Sequence, residues 1–203
     1  MTGPSARRVP SQARSRATVE AVVEAAAQVF ERHGYGAGTT NRIAERAGVS
    51  IGSVYQYFDD KDAIVEAVAL RHLADGAERL LPVLARLDGD LADVEPEVVL
   101  REVLVAMLDL HRDRPRLHRL LFEETPLTEA VRARGQALED AAARMVATWL
   151  ARRPDPPQHP ALTARLLVEA VESWSHRVVL HPPPDADEPA FVTAATRILA
   201  AGL

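Results

Sequence analysis

The chain has 203 residues, 47% of them hydrophobic, and a formal net charge of −5. This content is sufficient for a core and excludes a disordered chain, and the lack of cysteine excludes disulfides, thiolate zinc sites and a cysteine nucleophile. Residues 1–58 carry seven Arg against four Glu, a net of +3, whereas residues 59–203 carry 17 basic and 25 acidic residues, a net of −8. This asymmetry predicts two parts with different partners.

The N-terminal residues 1–14 are rich in Pro, Ser and Arg and are predicted to form a flexible basic arm. They lack the apolar stretch of a signal peptide. The chain also contains no uncharged run of the roughly 18 residues that a membrane helix needs. We therefore expect a soluble, cytoplasmic protein without a membrane partner.

Apolar residues then recur at helical spacing, from about residue 15 to a helix stop at Gly34. Two short helices are predicted over residues 40–47 and 51–58. Their predicted N-caps are Thr39 and Ser50.

A longer helix is predicted over residues 61–81, with Asp59 or Asp60 as its N-cap and Pro82 at its end. No segment alternates with a period of two, so the predicted fold is all-α. The remaining predicted helices span residues 96–112, 115–124, 127–152, 161–181 and 188–201. The first of these five has an apolar arc of about 200°, which is typical of the central helix of a bundle.

The segment from Thr39 to Val68 has the pattern of a helix, a glycine turn and a second helix. Gly48 stands where a tight turn between crossing helices requires a positive φ, and Val54 and Phe58 can face inward. The side chains that remain on the outside are Ser50, Ile51, Gly52, Ser53, Gln56 and Tyr57, with Tyr55 at the edge.

Here the chain resembles the DNA-binding domain of the tetracycline-repressor family of bacterial regulators. The resemblance covers about residues 14–68 and rests on the runs AAAQVFERHGY, TT-N-R-IA-ERAGVS and G-S-VY-QYF-DDKD-AI. It implies a helix-turn-helix domain over residues 15–62 and a helical effector-binding and dimerisation domain over residues 63–203. It also implies a double-stranded DNA operator, a homodimer and repression that a small molecule relieves.

By this resemblance the DNA-contacting positions are Thr40, Asn41, Arg42, Ser50, Ile51, Gly52, Ser53, Tyr55, Gln56, Tyr57 and Lys61. Gln56 has the amide that pairs with an adenine edge, and Ile51 can meet a thymine methyl. Thr40, Lys61 and the two tyrosines are better suited to phosphates, which position a protein without reading sequence. The reading helix lacks Arg and Lys, so the common bidentate contact to guanine is not available from it.

Histidines in the second part are candidates for a ligand pocket. His111 lies near the middle of the apolar arc of helix 96–112, although a histidine at a helix C-terminus also interacts favourably with the helix dipole. The candidate pocket residues are His72, Met107, His111, His118, Phe122 and Trp149. For Trp149 core packing is the first interpretation and a ligand wall the second.

Glu172 and His176 lie four residues apart on a helix, which is a spacing that can hold a metal. Because Arg165 and Glu169 share their stripe, we interpret it as a solvated polar face and predict no metal and no cofactor.

The last two predicted helices carry apolar stripes. By the family resemblance they form a dimer interface through Leu167, Val171, Trp174, Val178, Phe191, Ala195 and Ile198. The alternative is that both stripes belong to the core of one subunit.

The sequence therefore predicts a homodimeric, effector-responsive repressor and not an enzyme, since no nucleophile–base set stands out. Three alternatives stay open. The helix pair can pack on another protein, the chain can be a helical ligand-binding protein or enzyme that retains a DNA-binding head, or it can be an architectural DNA binder without an effector.

Overall fold

The computed structural model describes residues 11–89, 94–185 and 187–203, and in these ranges every regular element is helical. The all-α prediction is confirmed. The contacts divide the chain after Val68 into two compact units, which we call the N-terminal unit and the C-terminal unit.

The first helix, α1, spans Ser11–Ala37 and is interrupted at Gly34, where φ is 69° and ψ is 177°. The predicted stop at this glycine is therefore a kink, after which the chain resumes one more helical turn. Residues 11–14, which the sequence assigned to a flexible arm, are helical. Residues 1–10 of the predicted arm lie outside the described residues.

Helices α2 (Thr40–Ala47) and α3 (Ile51–Tyr55) come next, and they are joined through Gly48, whose φ of 70° lies in the left-handed region that glycine tolerates. The core of the N-terminal unit packs around fully buried side chains of α1, α2 and α3, namely Val22, Ala26, Phe30, Ile43 and Val54.

Helix α4 spans Lys61–Ala85, and the Asp60 carboxylate accepts the Ala63 N–H at 2.8 Å, as a capping side chain does. The prediction that Pro82 ends this helix is wrong, because Pro82 lies inside it. A proline inside a helix costs about 3 kcal/mol. Burial of Leu84 and Leu87 in the core of the C-terminal unit offsets that cost.

The later helices agree with the predicted spans to within two residues, except where the chain leaves α-geometry. They are α5 (Pro96–Arg112), α6 (Pro115–Arg119), α7 (Glu129–Ala151), α8 (Pro160–Leu180) and α9 (Glu188–Ala200). A 3₁₀ turn succeeds α4 at Arg86–Asp88. A π-helical turn succeeds α6 at Leu120–Glu124, where the Thr125 N–H donates to the Leu120 carbonyl five residues back.

Helix α5 packs against α8 and α9 in the C-terminal unit, so its wide apolar arc is used in helix packing. Its buried side chains include Leu100, Leu104 and Met107, and they join a core with Trp149 of α7 and Leu167 of α8. Among the described residues, no helix is long and apolar enough to cross a membrane.

Candidate functional site

The helix pair α2–α3 in the N-terminal unit is fixed by caps that its sequence supplies. The Thr39 hydroxyl accepts the Arg42 N–H at the start of α2, and the Ser50 hydroxyl accepts the Ser53 N–H at the start of α3. At the C-terminal end of α2, the N–H of Gly48 donates to the carbonyls of Ala44 and Glu45. Both predicted N-caps are confirmed.

The outer surface of α3 carries large side chains that stay in contact with solvent. Val54 and Phe58 are buried, as predicted, whereas Ile51, Tyr55 and Tyr57 keep 37%, 52% and 39% of their surface exposed. The other predicted contact residues around them are exposed or half-buried, namely Ser50, Gly52, Ser53 and Gln56.

Helix α3 ends at Tyr55, three residues earlier than predicted. The N–H groups of Tyr57 and Phe58 both donate to the Val54 carbonyl, which tightens the chain into a turn and brings Phe58 into the core. Gln56 and Tyr57 therefore lie in the turn after the helix, at the opposite end from the Ser50 cap.

Hydroxyl groups on this surface are paired with one another. The Thr40 and Tyr55 hydroxyls lie 3.2 Å apart and join the start of α2 to the end of α3. The Ser50 and Ser53 hydroxyls lie 2.8 Å apart. All four groups sit in exposed hydrogen bonds, which contribute little free energy and can be exchanged for bonds to a partner.

The two predicted cationic contact residues also have partners within the unit. Arg42 donates to the Ala37 carbonyl at 2.8 Å, and Asn41 beside it is exposed. Lys61 donates to the Tyr35 carbonyl at 2.9 Å, and its ammonium lies 3.6 Å from the centre of the Tyr35 ring. Because an ammonium has three N–H donors, this bond leaves donor capacity for a phosphate.

The phenol of Tyr35 is in turn bound to Asp62, at the first turn of α4. This hydrogen bond, burial and the negative charges of Asp62 and Asp60 raise the pKa of Tyr35 to about 12. The phenol therefore stays protonated at physiological pH and holds the ring against Lys61.

The C-terminal unit contains a partly open cavity of about 180 Å³ with largely apolar walls. Five of the six predicted pocket residues line it, namely His72, Met107, His111, Phe122 and Trp149. The sixth, His118, is buried against the rings of His111 and Phe122 at centroid distances of 4.2 and 4.5 Å. Whether a ligand occupies the cavity stays a prediction.

Glu172 and His176 also line this cavity, so the interpretation of their stripe as a solvated face is wrong. Val168, one helical turn before Glu172 on α8, lines the same cavity, so this side of the helix faces inward. Burial and the adjacent Glu139 carboxyl raise the pKa of Glu172 to about 7.

The predicted dimer stripes lie largely inside the subunit. Leu167, Val171 and Ala195 are buried in its own core, which favours the intramolecular alternative for them. Trp174 and Phe191 pack partly against the same core. Val178 is half-buried, whereas Ile198 is 63% exposed.

Sequence reasoning missed two exposed leucines on α8, Leu162 and Leu166, which lie one turn apart and are each 56% exposed. Their spacing was visible in the sequence. Because α8 has apolar residues on several sides, however, only its packing partners determine which side faces solvent.

Comparisons with known proteins agree with the described fold. A model of the bacterial regulatory proteins of the TetR family matches residues 22–68, and a model of the tetracyclin repressor-like C-terminal domain matches residues 95–203. A solved TetR-family transcriptional regulator from Streptomyces coelicolor is 27% identical, with a TM-score of 0.61, and the match covers 91% of this chain and 96% of that one.

Two curated relatives are helix-turn-helix transcriptional regulators. YvkB of Bacillus subtilis is 34% identical over 37% of this chain and 38% of its own length. RutR of Escherichia coli is 30% identical over 69% of this chain and 66% of its own length, so the matches span less than two thirds of either relative. The resemblance drawn from the sequence is confirmed, and it places the chain among regulators and not among enzymes. The chain belongs to the tetracycline-repressor family of bacterial regulatory proteins.

Proposed function

We propose that the chain is a homodimeric transcriptional repressor that binds a double-stranded DNA operator through α2–α3 and leaves it when a small molecule occupies the C-terminal cavity. The α2–α3 surface carries this proposal, because Ile51, Tyr55 and Tyr57 remain exposed on a short, doubly capped helix pair. Large apolar side chains grouped on a surface mark an interaction site.

The contacts divide into those that position the protein and those that read bases. The hydroxyls of Thr40 and Tyr55 and the ammonium of Lys61 are suited to phosphate oxygens. Gln56 and Ile51 are suited to base edges, through the amide and through contact with a thymine methyl. Because Gln56 lies in the turn after α3, it reads at the end of the helix opposite to Ile51.

The DNA-binding proposal is tested by selecting bound sequences from a random DNA pool and measuring affinity for the selected site and for random DNA. We expect Gln56→Ala to lose about 1–3 kcal/mol on the selected site and little on random DNA. Lys61→Ala should weaken both and lower the salt slope by about one unit. Arg46→Ala removes one charge from a side chain that is bonded to Gln28 of α1, and serves as the charge-matched control.

Equal losses for Gln56→Ala on selected and random DNA would contradict its reading role. A pool that yields no preferred sequence would instead favour an architectural DNA binder.

The dimer proposal rests on exposed apolar side chains of α8 and α9, namely Leu162, Leu166 and Ile198. A two-fold operator requires two reading heads. We expect Leu166→Glu with Ile198→Glu to give a monomer at micromolar concentration in analytical ultracentrifugation. Val98→Glu, at an exposed valine of α5, is the matched control and should leave the dimer intact. A wild-type monomer would contradict the proposal.

The release step is a coupling between the cavity and the DNA surface. Helix α4 carries residues of both units and is the segment through which we propose the coupling acts. A compound that lowers operator affinity must itself bind more weakly to the operator complex by the same factor. A screen for compounds that release the selected DNA, followed by both affinity measurements, tests this reciprocity. Compounds that bind the cavity without changing DNA affinity would contradict the release mechanism.

A further inference from the structure

Four of the seven histidines of the chain meet inside the C-terminal unit, although they are far apart in sequence. His72 of α4, His111 of α5, His118 of α6 and His176 of α8 form this histidine cluster. The His111, His118 and His176 rings lie 4.2–4.6 Å apart between centroids, and the His72 ring lies 5.3 Å from His111 and 5.7 Å from His118.

The cluster leaves buried ring nitrogens without hydrogen-bond partners. Both nitrogens of His118 and the Nδ1 of His111 are in this state, and each of these side chains is only 2% exposed. Buried polar groups without partners are rare in native proteins, and each needs an explanation such as a bound ion or water. A bound ion would supply the missing partner.

The ring nitrogens converge closely enough to share one ion. One ring nitrogen each from His72, His111 and His118 lie within 4.8 Å of one another. Imidazole nitrogens bind Zn²⁺ at about 2.0–2.1 Å in tetrahedral geometry, which places them about 3.3 Å apart. A bound ion would require rotations about the side-chain dihedrals to close this gap. The neighbouring His176 ring, 4.6 Å from the His111 and His118 rings between centroids, is the candidate for a fourth ligand.

We infer that His72, His111, His118 and His176 form a buried binding site for a late first-row divalent cation such as Zn²⁺. Imidazole suits zinc, copper and nickel, whereas magnesium and calcium prefer oxygen ligands.

The electrostatics of the cluster favour the ligand form of each ring. Burial lowers the pKa of His111 to about 3, of His118 to about 2 and of His176 to about 4, with further lowering from neighbouring histidines. Burial also lowers the pKa of His72, against the nearby Asp75 carboxylate. Neutral rings bind a metal without first releasing a proton.

A carboxyl group in the same cavity can balance the charge of the ion. Glu172 lies one helical turn before His176 on α8, and its neighbour is Glu139 of α7. Burial and this neighbour favour the protonated form of Glu172. A nearby dication would favour the ionised form of Glu172. The negative charge of the two glutamates would then offset the positive charge of the ion, which four neutral histidine ligands leave uncompensated.

The site is tested on the full-length protein after removal of metals with a chelator. Titration with Co²⁺, followed by its visible d–d absorption, and competition with Zn²⁺ should give one ion per chain in a tetrahedral nitrogen environment. His72→Ala and His118→Leu should each weaken binding by at least about 100-fold, because loss of even outer-shell partners costs 10–100-fold.

Surface histidines provide the matched control. His33 and His159 are exposed, and a variant with both changed to alanine should bind the ion as the wild type does. Binding that survives both cluster variants, or disappears in the surface variant, would overturn the inference. Circular dichroism checks that each variant folds. His72→Ala changes a side chain that is only half-buried, so it should disturb the core little.

Any effect of the ion on DNA binding rests on the proposed function, whereas the site itself does not. Operator affinity is therefore measured with and without Zn²⁺ as a separate experiment. DNA binding without ion binding would overturn only the metal site, and ion binding without operator binding would overturn only the proposed function.

Discussion

Polar groups of the two units are in opposite situations. On the α2–α3 surface, the hydroxyls of Thr40 and Tyr55 and the ammonium of Lys61 have partners and sit at the solvent boundary. In the histidine cluster, ring nitrogens of His111 and His118 are buried without partners. The first arrangement is stable alone and can exchange weak bonds for DNA contacts. The second arrangement costs free energy until a ligand binds. The α2–α3 surface is therefore preformed, whereas the histidine cluster is incomplete without a ligand.

The largest expected effect tests whether the two arrangements are independent. Phe30→Ala removes a fully buried ring from the core of the N-terminal unit and should cost about 3–5 kcal/mol there. We expect loss of DNA binding with Co²⁺ binding retained. The reciprocal control, Leu104→Ala, removes a fully buried side chain of α5 in the C-terminal unit. Loss of Co²⁺ binding in Phe30→Ala would contradict the independence of the two units.

The next effect concerns the cost of the unpaired nitrogens. His118→Leu replaces them with an apolar side chain of similar volume, and should stabilise the metal-free protein by about 1–3 kcal/mol in chemical denaturation. His33→Leu, at an exposed histidine, should have almost no effect. A destabilised His118→Leu variant would mean that the ring contributes more through packing than it costs through burial.

The pH dependence of stability sharpens the same comparison. The folded pKa of His118 is lowered to about 2, below the unfolded value of about 6.5, so between these values the unfolded chain holds a proton that the folded chain lacks. Stability therefore falls as pH falls below about 6.5. The metal-free wild type should lose about 1.4 kcal/mol per pH unit more than His118→Leu, measured by denaturation between about pH 5.5 and 4.5. Parallel profiles would contradict the burial of a neutral ring.

The smallest effect lies on the surface of the N-terminal unit. Tyr55→Phe removes one hydroxyl from an exposed pair and should change the free energy of unfolding by less than about 0.5 kcal/mol. Under the proposed function, it should nevertheless weaken binding to selected and random DNA alike, in fluorescence anisotropy. Thr39→Ala removes the α2 cap and should cost about 1 kcal/mol of stability. Comparing the two variants distinguishes the loss of a contact that stabilises the fold from the loss of a contact to DNA.

Local chemistry determined what could be predicted from sequence. Capping by Thr39 and Ser50 depends on residues within three positions, and both caps are present. The end of α4 was misplaced because burial of Leu84 and Leu87 outweighs the local penalty of Pro82. The orientation of His176 was misjudged for a similar reason, since four helices bring the histidines together and no local pattern encodes that meeting.

The π-helical turn at Leu120–Glu124 has a consequence for how the cavity can evolve. A π turn holds one more residue than an α turn, and here it carries Phe122 to within 4.3 Å of the His176 ring, centroid to centroid. Deleting one residue from this turn would restore α-geometry and remove the bulge that carries Phe122 against the His176 ring. The loss or gain of a single codon would thus reshape one wall of the cavity while the helices around it keep their sequences.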